Sequence, residues 1–262
     1  MFDYHLHTTV SFDGKGTAQE MAEAAVKAGL KEICFTDHLD YYDDPAKTPR
    51  LFTMEEYGKA YDGLEVPGLT IKKGFEFGLT VYNAEDLKKF VSLRPFDYII
   101  GSVHFADGYD PDRPVYWEGK TVEKAFRRYL EVTYDCLKVH EDFDVLGHLT
   151  YVCKSVHNPS HKPVPYKEHM ELIDEILRIL VEKGKGMEIN TSGVDRTGDF
   201  LPTVDILKRF KELGGECVTI GSDAHDPSRV GQYSKEALEI IKDIFGYVCT
   251  FENRKVQCHK LI

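Results

Sequence analysis

Histidine and carboxylate side chains recur in short motifs along this 262-residue chain. The motifs H-L-H, T-D-H, G-F-E, S-V-H, G-H and S-D-A-H occur in that order and contain six of the eleven histidines. Their candidate metal ligands are His5, His7, His38, Glu76, His104, His148, Asp223 and His225. Imidazole is a good ligand for Zn, Fe and Mn, and a carboxylate can bridge two such ions. The pattern therefore predicts a centre that binds divalent metal ions.

The H-x-H pair has the spacing of two ligands on one face of a strand. Side chains two residues apart in a strand point the same way, so His5 and His7 can bind one metal. Asp223 and His225 repeat this spacing. A lone histidine is more often an ordinary hydrogen-bonded residue. Six or more buried together, each costing about 1–3 kcal/mol if unpartnered, favour a metal site.

Each motif lies at or just beyond the end of a predicted strand. Short apolar runs predict strands over residues 2–6, 32–36, 70–75, 98–103, 145–149, 186–190 and 217–222. Between them, a capping box at Thr17 begins a helix that ends at Gly29, and later apolar stripes end at Gly184 and Gly246. Alternating strands and helices imply parallel strands, whose carboxyl ends meet at one rim.

Seven such units predict an α/β fold, a distorted (β/α)7 TIM-like barrel that forms one domain over residues 1–262. Residues 41–67 and 158–165 have no strand–helix alternation, so we expect loops over the barrel mouth. An open doubly wound sheet is the alternative fold. It would need one ligand crevice at a strand switch point, which fits the spread of the motifs less well.

Composition limits the classes of partner. The net charge of −11 argues against a broad nucleic-acid surface, although metal ions can still attract a small anion to an acidic protein. No apolar run approaches the ~18–20 residues of a membrane span, and the first residues do not resemble a signal peptide. The six cysteines form no C-x-x-C pair. We therefore expect free thiols and a cytoplasmic protein, with its oligomeric state left open.

Taken in order from His5 to His225, the motifs resemble those of the polymerase and histidinol phosphatase (PHP) family. The D-x-H-x-H-T and S-x-D-G opening and the I-N-T-S-G segment are most similar to monofunctional histidinol-phosphate phosphatases. This resemblance implies a distorted seven-stranded barrel with three divalent ions, which would be Zn, Mn or Fe. The implied ligand sets are His5, His7, Glu76 and Asp223; Glu76, His104 and His148; and Asp13, His38 and His225.

The resemblance also implies a phosphomonoesterase that acts on L-histidinol phosphate, a small phosphorylated substrate. A hydroxide between the two ions bridged by Glu76 would attack phosphorus, while the third ion neutralises phosphate oxygens. Glu76, Asp223 and His225 are therefore the candidate catalytic residues. Asn190 and Arg196 are candidate substrate contacts, Arg196 through a bidentate pair to phosphate, although it could equally be a solvated loop residue.

Several neighbouring residues have two interpretations. Asp37 either orients a metal ligand or caps a strand end. Lys154 and His157 could line the substrate entrance, but surface polar residues are the favoured interpretation. The acidic residues at positions 40, 43 and 44 could attract a cationic amino alcohol, although a solvated loop is simpler.

The motifs do not choose among related activities. A phosphoesterase acting on nucleotides or on phosphotyrosyl protein would use the same ligands. A metal-binding module of a larger assembly ranks lower, since the acidic chain offers no surface for DNA. A carbon–nitrogen hydrolase of the amidohydrolase type usually has eight strands and an additional lysine or carboxylate bridge.

Overall fold

Parallel strands form the centre of the molecule. The computed structural model describes residues 1–42, 44 and 46–261. Its parallel strands are β1 (Phe2–Leu6), β2 (Glu32–Phe35), β3 (His38–Leu39), β4 (Thr70–Gly78), β5 (Tyr98–Ser102), β6 (Val145–Leu146), β7 (Gly186–Asn190) and β8 (Val218–Gly221). They pair in the order β1-β2-β4-β5-β6-β7-β8, and the two-residue β3 also pairs with β4.

The sheet closes on itself between its first and last strands. The backbone N–H of His7 donates to Ala224 O at 3.0 Å, and that of Asp223 donates to His5 O at 2.9 Å. Leu6 and Ala224 form a parallel bridge. An open doubly wound sheet would leave these two strands as edges. The predicted distorted (β/α)7 TIM-like barrel is therefore confirmed.

Helices surround the barrel. They are α1 (Ala18–Lys27), α2 (Met54–Tyr61), α3 (Ala84–Leu93), α4 (Pro114–Trp117), α5 (Val122–Val139), α6 (Met170–Glu182), α7 (Val194–Thr197), α8 (Val204–Glu212) and α9 (Ser234–Phe245). The predicted capping box begins α1, with Glu20 N donating to Thr17 Oγ1 at 3.3 Å and Thr17 N donating to Glu20 Oε2 at 2.8 Å. Gly29, with φ of 77°, adopts the left-handed backbone that ends the helix. In the part of the chain that is described, we find no helix long and apolar enough to cross a membrane.

Residues 41–67 are not the continuous loop that the sequence predicts, because they include α2. Thr53 and Glu56 form a reciprocal capping box at its start, with bonds of 2.8 and 3.2 Å. Tyr57 of this helix is buried, and its hydroxyl donates to Gly74 O at 2.9 Å. The prediction was wrong here because the surrounding prolines and aspartates obscured a short amphipathic helix.

A C-terminal hairpin, which was not predicted, closes the other end of the barrel. It consists of β9 (Tyr247–Glu252) and β10 (Lys255–Lys260), paired antiparallel. Phe251 N donates to the buried Tyr4 hydroxyl at 3.1 Å. Arg254 N donates to Asp97 O at 2.9 Å, and its guanidinium donates to Asp144 Oδ1 at 2.9 Å. Because Asp97 and Asp144 directly precede β5 and β6, the hairpin covers the amino ends of the strands.

Candidate metal centre

All the predicted metal ligands lie at the carboxyl ends of the strands. His5, His38 and Glu76 belong to β1, β3 and β4. The others follow strands directly or lie in the next loop: His7 and Asp13 after β1, His104 after β5, His148 after β6, and Asp223 and His225 after β8. All except Asp13 and His225 are at most 8% exposed. The structure therefore gathers them in one mostly buried cluster.

The Glu76 carboxylate lies between two groups of histidines. Its Oε2 is 3.1 Å from His5 Nε2 and 3.5 Å from His7 Nε2. Its Oε1 is 3.1 Å from His104 Nε2 and 2.9 Å from His148 Nε2. Each oxygen can thus bind a different cation, which is the bridging arrangement implied for this residue.

Asp223 completes the first group and is held by a lysine. Its Oδ1 lies 3.7 Å from His5 Nε2 and 3.3 Å from His7 Nε2. Its Oδ2 accepts from Lys154 Nζ at 2.6 Å. Burial raises the pKa of Asp223, but Lys154 and His5 outweigh burial and hold that pKa well below its usual value. The carboxylate is therefore ionised and available as a ligand.

A third group lies nearer the surface. The Nε2 atoms of His38 and His225 are 3.3 Å apart, and Asp13 Oδ2 lies 3.7 and 3.5 Å from them. The His225 Nδ1–H donates to the backbone oxygen of Asp223 at 2.9 Å. This bond leaves the Nε2 lone pair of His225 directed at the group.

Buried carboxylates orient two further histidines. Glu188 Oε1 is 2.7 Å from His5 Nδ1, and Asp40 Oδ1 is 2.7 Å from His104 Nδ1. An acceptor at Nδ1 holds the proton there and leaves Nε2 free to bind a metal. Both rings consequently direct Nε2 toward Glu76.

The donor atoms of the centre fit divalent cations. Among the described residues, the Nε2 atoms of His5 and His7 and Oε2 of Glu76 are buried without a hydrogen-bond partner. The two nitrogens nevertheless lie 3.1 and 3.5 Å from Glu76 Oε2. Ligand atoms about 2.1 Å from a shared ion have roughly this spacing. A cation would satisfy groups that otherwise cost about 1–3 kcal/mol each.

Protons and cations compete for these ligands. Burial lowers the pKa of His5, but Glu188 and Glu76 outweigh burial and raise that pKa well above its usual value. Burial raises the pKa of Glu76, but His5 and His104 outweigh burial and hold it well below its usual value. A divalent cation must therefore displace histidine protons when it binds.

Asp37 fills both of the roles considered for it. Its Oδ1 accepts from Thr8 N at 2.7 Å and from Ser11 Oγ at 2.8 Å, which fixes the loop after β1. Ser11 Oγ also lies 3.2 Å from His7 Nδ1 and accepts from His38 N at 2.9 Å. Asp37 thus caps a strand end and, through Ser11, orients two candidate ligands.

A cavity lies beside the ligands, and the two predicted substrate contacts do not line it. Asn190 is buried, and its Nδ2 donates to Glu188 Oε2 at 3.0 Å while its Oδ1 accepts from Ser192 Oγ at 2.6 Å. Its polar atoms are thus occupied within the protein, and it acts as a positioning residue. Arg196 is exposed on α7, away from the cavity lining, so its position does not support the predicted bond to phosphate.

The sequence interpretation missed three charged residues of the centre. Glu188 is 1% exposed in strand β7. A charged residue within this otherwise apolar strand was the sign in the sequence that it has a functional role. Asp40 lies two residues after a ligand in T-D-H-L-D, the spacing of one strand face. Lys154, for which a surface position is the favoured prediction, forms an ion pair with Asp223. His157 is exposed, as favoured.

A cavity of about 340 Å³ opens beside the ligands. Arg50, Arg113 and Lys154 contribute basic side chains to its lining, and Asp110 and Asp112 contribute carboxylates. Its size lies within the ~300–1,000 Å³ typical of small-molecule sites. A larger cavity of about 750 Å³, between α5 and α8, is lined by none of the candidate ligands. The smaller cavity is therefore the candidate substrate site.

Residues 3–192 match the sequence profile of the family described as PHP domain. The chain belongs to the PHP family. This PHP chain is 33% identical to a histidinol-phosphatase of Lactococcus lactis subsp. lactis, over 98% of its own length and 97% of the relative's. It also resembles the solved structure of a histidinol phosphate phosphatase from that organism, complexed with zinc, L-histidinol and phosphate. The TM-score is 0.85, the identity 29%, and the coverage 98% of both chains.

A more distant PHP-like fold belongs to a different kind of phosphatase. A structure from work on metal-dependent tyrosine phosphatases of Bacillus subtilis and Streptococcus pneumoniae matches 94% of this chain and 88% of its own. The identity is 20% and the TM-score 0.51, so this likeness concerns the fold alone.

Proposed function

We propose that this PHP protein is a metal-dependent phosphomonoesterase that hydrolyses L-histidinol phosphate to L-histidinol and phosphate, a step of histidine biosynthesis. The observation that carries the proposal is the cluster of buried metal ligands beside a cavity lined by both basic and acidic side chains. Similarity over nearly the whole chain to histidinol-phosphatases supports the substrate. We also propose that residues 1–262 form one domain.

The ligands divide among three proposed divalent ions, with Glu76 shared by the first two. His5, His7 and Asp223 complete the first set, His104 and His148 the second, and Asp13, His38 and His225 form the third. Zinc in the solved relative supports Zn, with Mn or Fe as alternatives. When bound, such ions lower the pKa of a shared water and neutralise phosphate oxygens.

Basic side chains of the cavity complement the metal ions in binding phosphate. The Arg50 guanidinium carbon lies 4.3 Å from the Phe12 ring centroid, a cation–π contact that holds this side chain at the cavity wall. Lys154 uses two of its three N–H donors on Asp223 and Ser192. The third donor remains for a phosphate oxygen. These two residues replace Arg196 in the proposed contact with phosphate.

Asp110 and Asp112 are the proposed contacts for the substrate's ammonium or imidazolium group. The loop carboxylates considered from the sequence fit this role less well. Asp40 is buried against His104, Asp44 is not part of the cavity lining, and position 43 lies outside the described residues. Asp110 Oδ1 accepts from Tyr151 OH at 3.1 Å, which leaves its other oxygen for the substrate.

Phosphate release from several substrates tests the proposal. The purified metal-loaded protein is assayed with L-histidinol phosphate, a neutral phosphomonoester of similar size, nucleoside monophosphates and a phosphotyrosyl peptide. One charged contact contributes about 1.5–3 kcal/mol, so kcat/KM should favour L-histidinol phosphate over the neutral ester by roughly one to two decades. Equal efficiency toward the neutral ester would overturn the proposed substrate and leave a general phosphoesterase.

A double variant tests which residues select the cation. Asp110→Asn with Asp112→Asn should narrow the preference for L-histidinol phosphate and leave hydrolysis of the neutral ester nearly unchanged. Glu239→Gln with Asp243→Asn, exposed on α9, removes the same charge and should leave the preference intact. An unchanged preference in the first variant would show that another group binds the ammonium.

A further inference from the structure

Three of the six free cysteines lie together at the end of the barrel opposite the metal centre. Cys249 is in β9, Cys258 is in β10, and Cys217 directly precedes β8. The Sγ atoms of Cys249 and Cys258 are 3.7 Å apart. Cys249 is buried and Cys258 is exposed. The cluster therefore includes a close thiol pair with one member accessible from solvent.

The register of the hairpin places Cys249 and Cys258 directly opposite each other. Asn253 and Arg254, with φ of 49° and 61°, form the two-residue turn that connects β9 and β10. Such turns suit the twist of a hairpin and set its register. The approach of the two thiols is consequently a property of the backbone pairing and not of mobile side chains.

The hydrogen bonds of the hairpin show whether Cys249 and Cys258 form a hydrogen-bonded or a non-hydrogen-bonded pair. Leu261 N donates to Gly246 O at 2.9 Å, so those two residues form a hydrogen-bonded pair. Pairs alternate along an antiparallel ladder, and Cys249 and Cys258 are three pairs further along. They therefore form a non-hydrogen-bonded pair, in which Cα atoms are about 4.5 Å apart. That separation lies within the range of disulfides.

We propose that Cys249 and Cys258 are a site of reversible oxidation, at which a small disulfide such as oxidised glutathione converts the two thiols into a cross-strand disulfide. The sulfur atoms must move about 1.7 Å closer to reach bonding distance, which side-chain rotation can supply. This inference does not depend on the proposed phosphatase activity.

The exchange proceeds in two balanced steps. The Cys258 thiolate attacks one sulfur of the small disulfide, which forms a mixed disulfide and releases one small thiolate. The Cys249 thiolate then attacks Cys258 Sγ and releases the second small thiolate. The protons of the two cysteine thiols pass to the released thiolates. A hydrogen bond from Cys217 lowers the pKa of Cys249 to about 7, whereas burial and the neighbouring Cys249 raise the pKa of Cys258 to about 11. The Cys249 thiolate, 3.7 Å away, therefore accepts the Cys258 proton as the exposed sulfur attacks.

Peptide mapping tests the proposal. The full-length protein is incubated with millimolar oxidised glutathione, alkylated and digested with trypsin without reduction. Cleavage after Arg254 and Lys255 separates residues 243–254 from residues 256–260. A disulfide joins these two peptides into one species, lighter than their sum by two hydrogen atoms, which a reductant separates again. We expect this species to become the main form of both peptides.

Two variants serve as controls. Cys258→Ser should abolish the joined species, whereas Cys153→Ser, which removes a buried thiol elsewhere in the fold, should retain it. Phosphate release should be unchanged by oxidation, because the pair lies at the opposite end of the barrel. Unmodified thiols after treatment, a glutathione adduct that persists on Cys258, or a bridge to Cys217 would each overturn the proposal.

Discussion

Replacing Glu188 with glutamine should weaken metal binding, although Glu188 is not a proposed ligand. One carboxylate oxygen lies 2.7 Å from His5 Nδ1. The other accepts from His148 N at 2.8 Å and from Asn190 Nδ2 at 3.0 Å. Three donors thus surround one buried carboxylate. Glu188 therefore positions His5 and His148, which are proposed ligands of the two ions bridged by Glu76.

The size of the effect follows from the donors. Glutamine offers one acceptor oxygen and one NH2 group. If the oxygen faces His148 N, the NH2 group faces His5 Nδ1, and His5 must carry its proton on Nε2, the atom proposed to bind a cation. If the amide is reversed, its NH2 group faces two other N–H groups. Either mismatch costs about 1–3 kcal/mol, or roughly one to two decades in affinity, similar to the 10–100-fold typical of residues that orient metal ligands.

Metal titration measures this effect. The cation concentration that restores half-maximal phosphate release should rise about 10–100-fold in Glu188→Gln, and metal content after gel filtration should fall. Thermal unfolding of the metal-loaded variant establishes that it remains folded. Glu182→Gln, an exposed change on α6, is the matched control. Unaltered metal content and an unaltered titration midpoint in Glu188→Gln would refute the reasoning.

Three further outcomes are expected. Elemental analysis of protein purified without chelator should give about two to three divalent ions per chain, and a value at or below one after supplementation would contradict the three-ion proposal. Glu76→Gln should lower kcat far more than it raises KM, because it disturbs both groups of ligands; near-normal kcat with metals retained would remove its bridging role. Tyr61→Phe deletes a buried hydroxyl that donates to Asp37, so urea denaturation should show a loss of about 1–3 kcal/mol in the free energy of unfolding, and an unchanged value would show that this bond contributes little.

The candidate ligands were predictable because strand geometry is local. His5 and His7 had to share a face if residues 2–6 were a strand, and the structure confirms that strand. Short-range sequence patterns also predicted the capping box at Thr17 and the glycine that ends α1. The sequence alone could therefore indicate features that depend only on residues close together in the chain.

Residues that act through partners distant in the chain were not predictable in this way. Glu188 meets His5 across 183 positions, and Lys154 meets Asp223 across 69. Nothing in the sequence near Arg196 indicated that its side chain would be exposed and would not line the cavity. The role of each of these residues depends on which strands become neighbours when the barrel closes.

The C-terminal hairpin is a further feature that depends on contacts between distant segments of the chain. Its strands have no clear alternation, since Lys255, Val256 and Cys258 are all exposed. Its packing depends on Phe251, which contacts Tyr4 from the opposite end of the chain. Local periodicity thus predicted the seven main barrel strands and the ends of α1, because these depend on near neighbours. Closure of the barrel decided which carboxylate orients which histidine and which charges line the cavity, because those contacts exist only between segments far apart in the sequence.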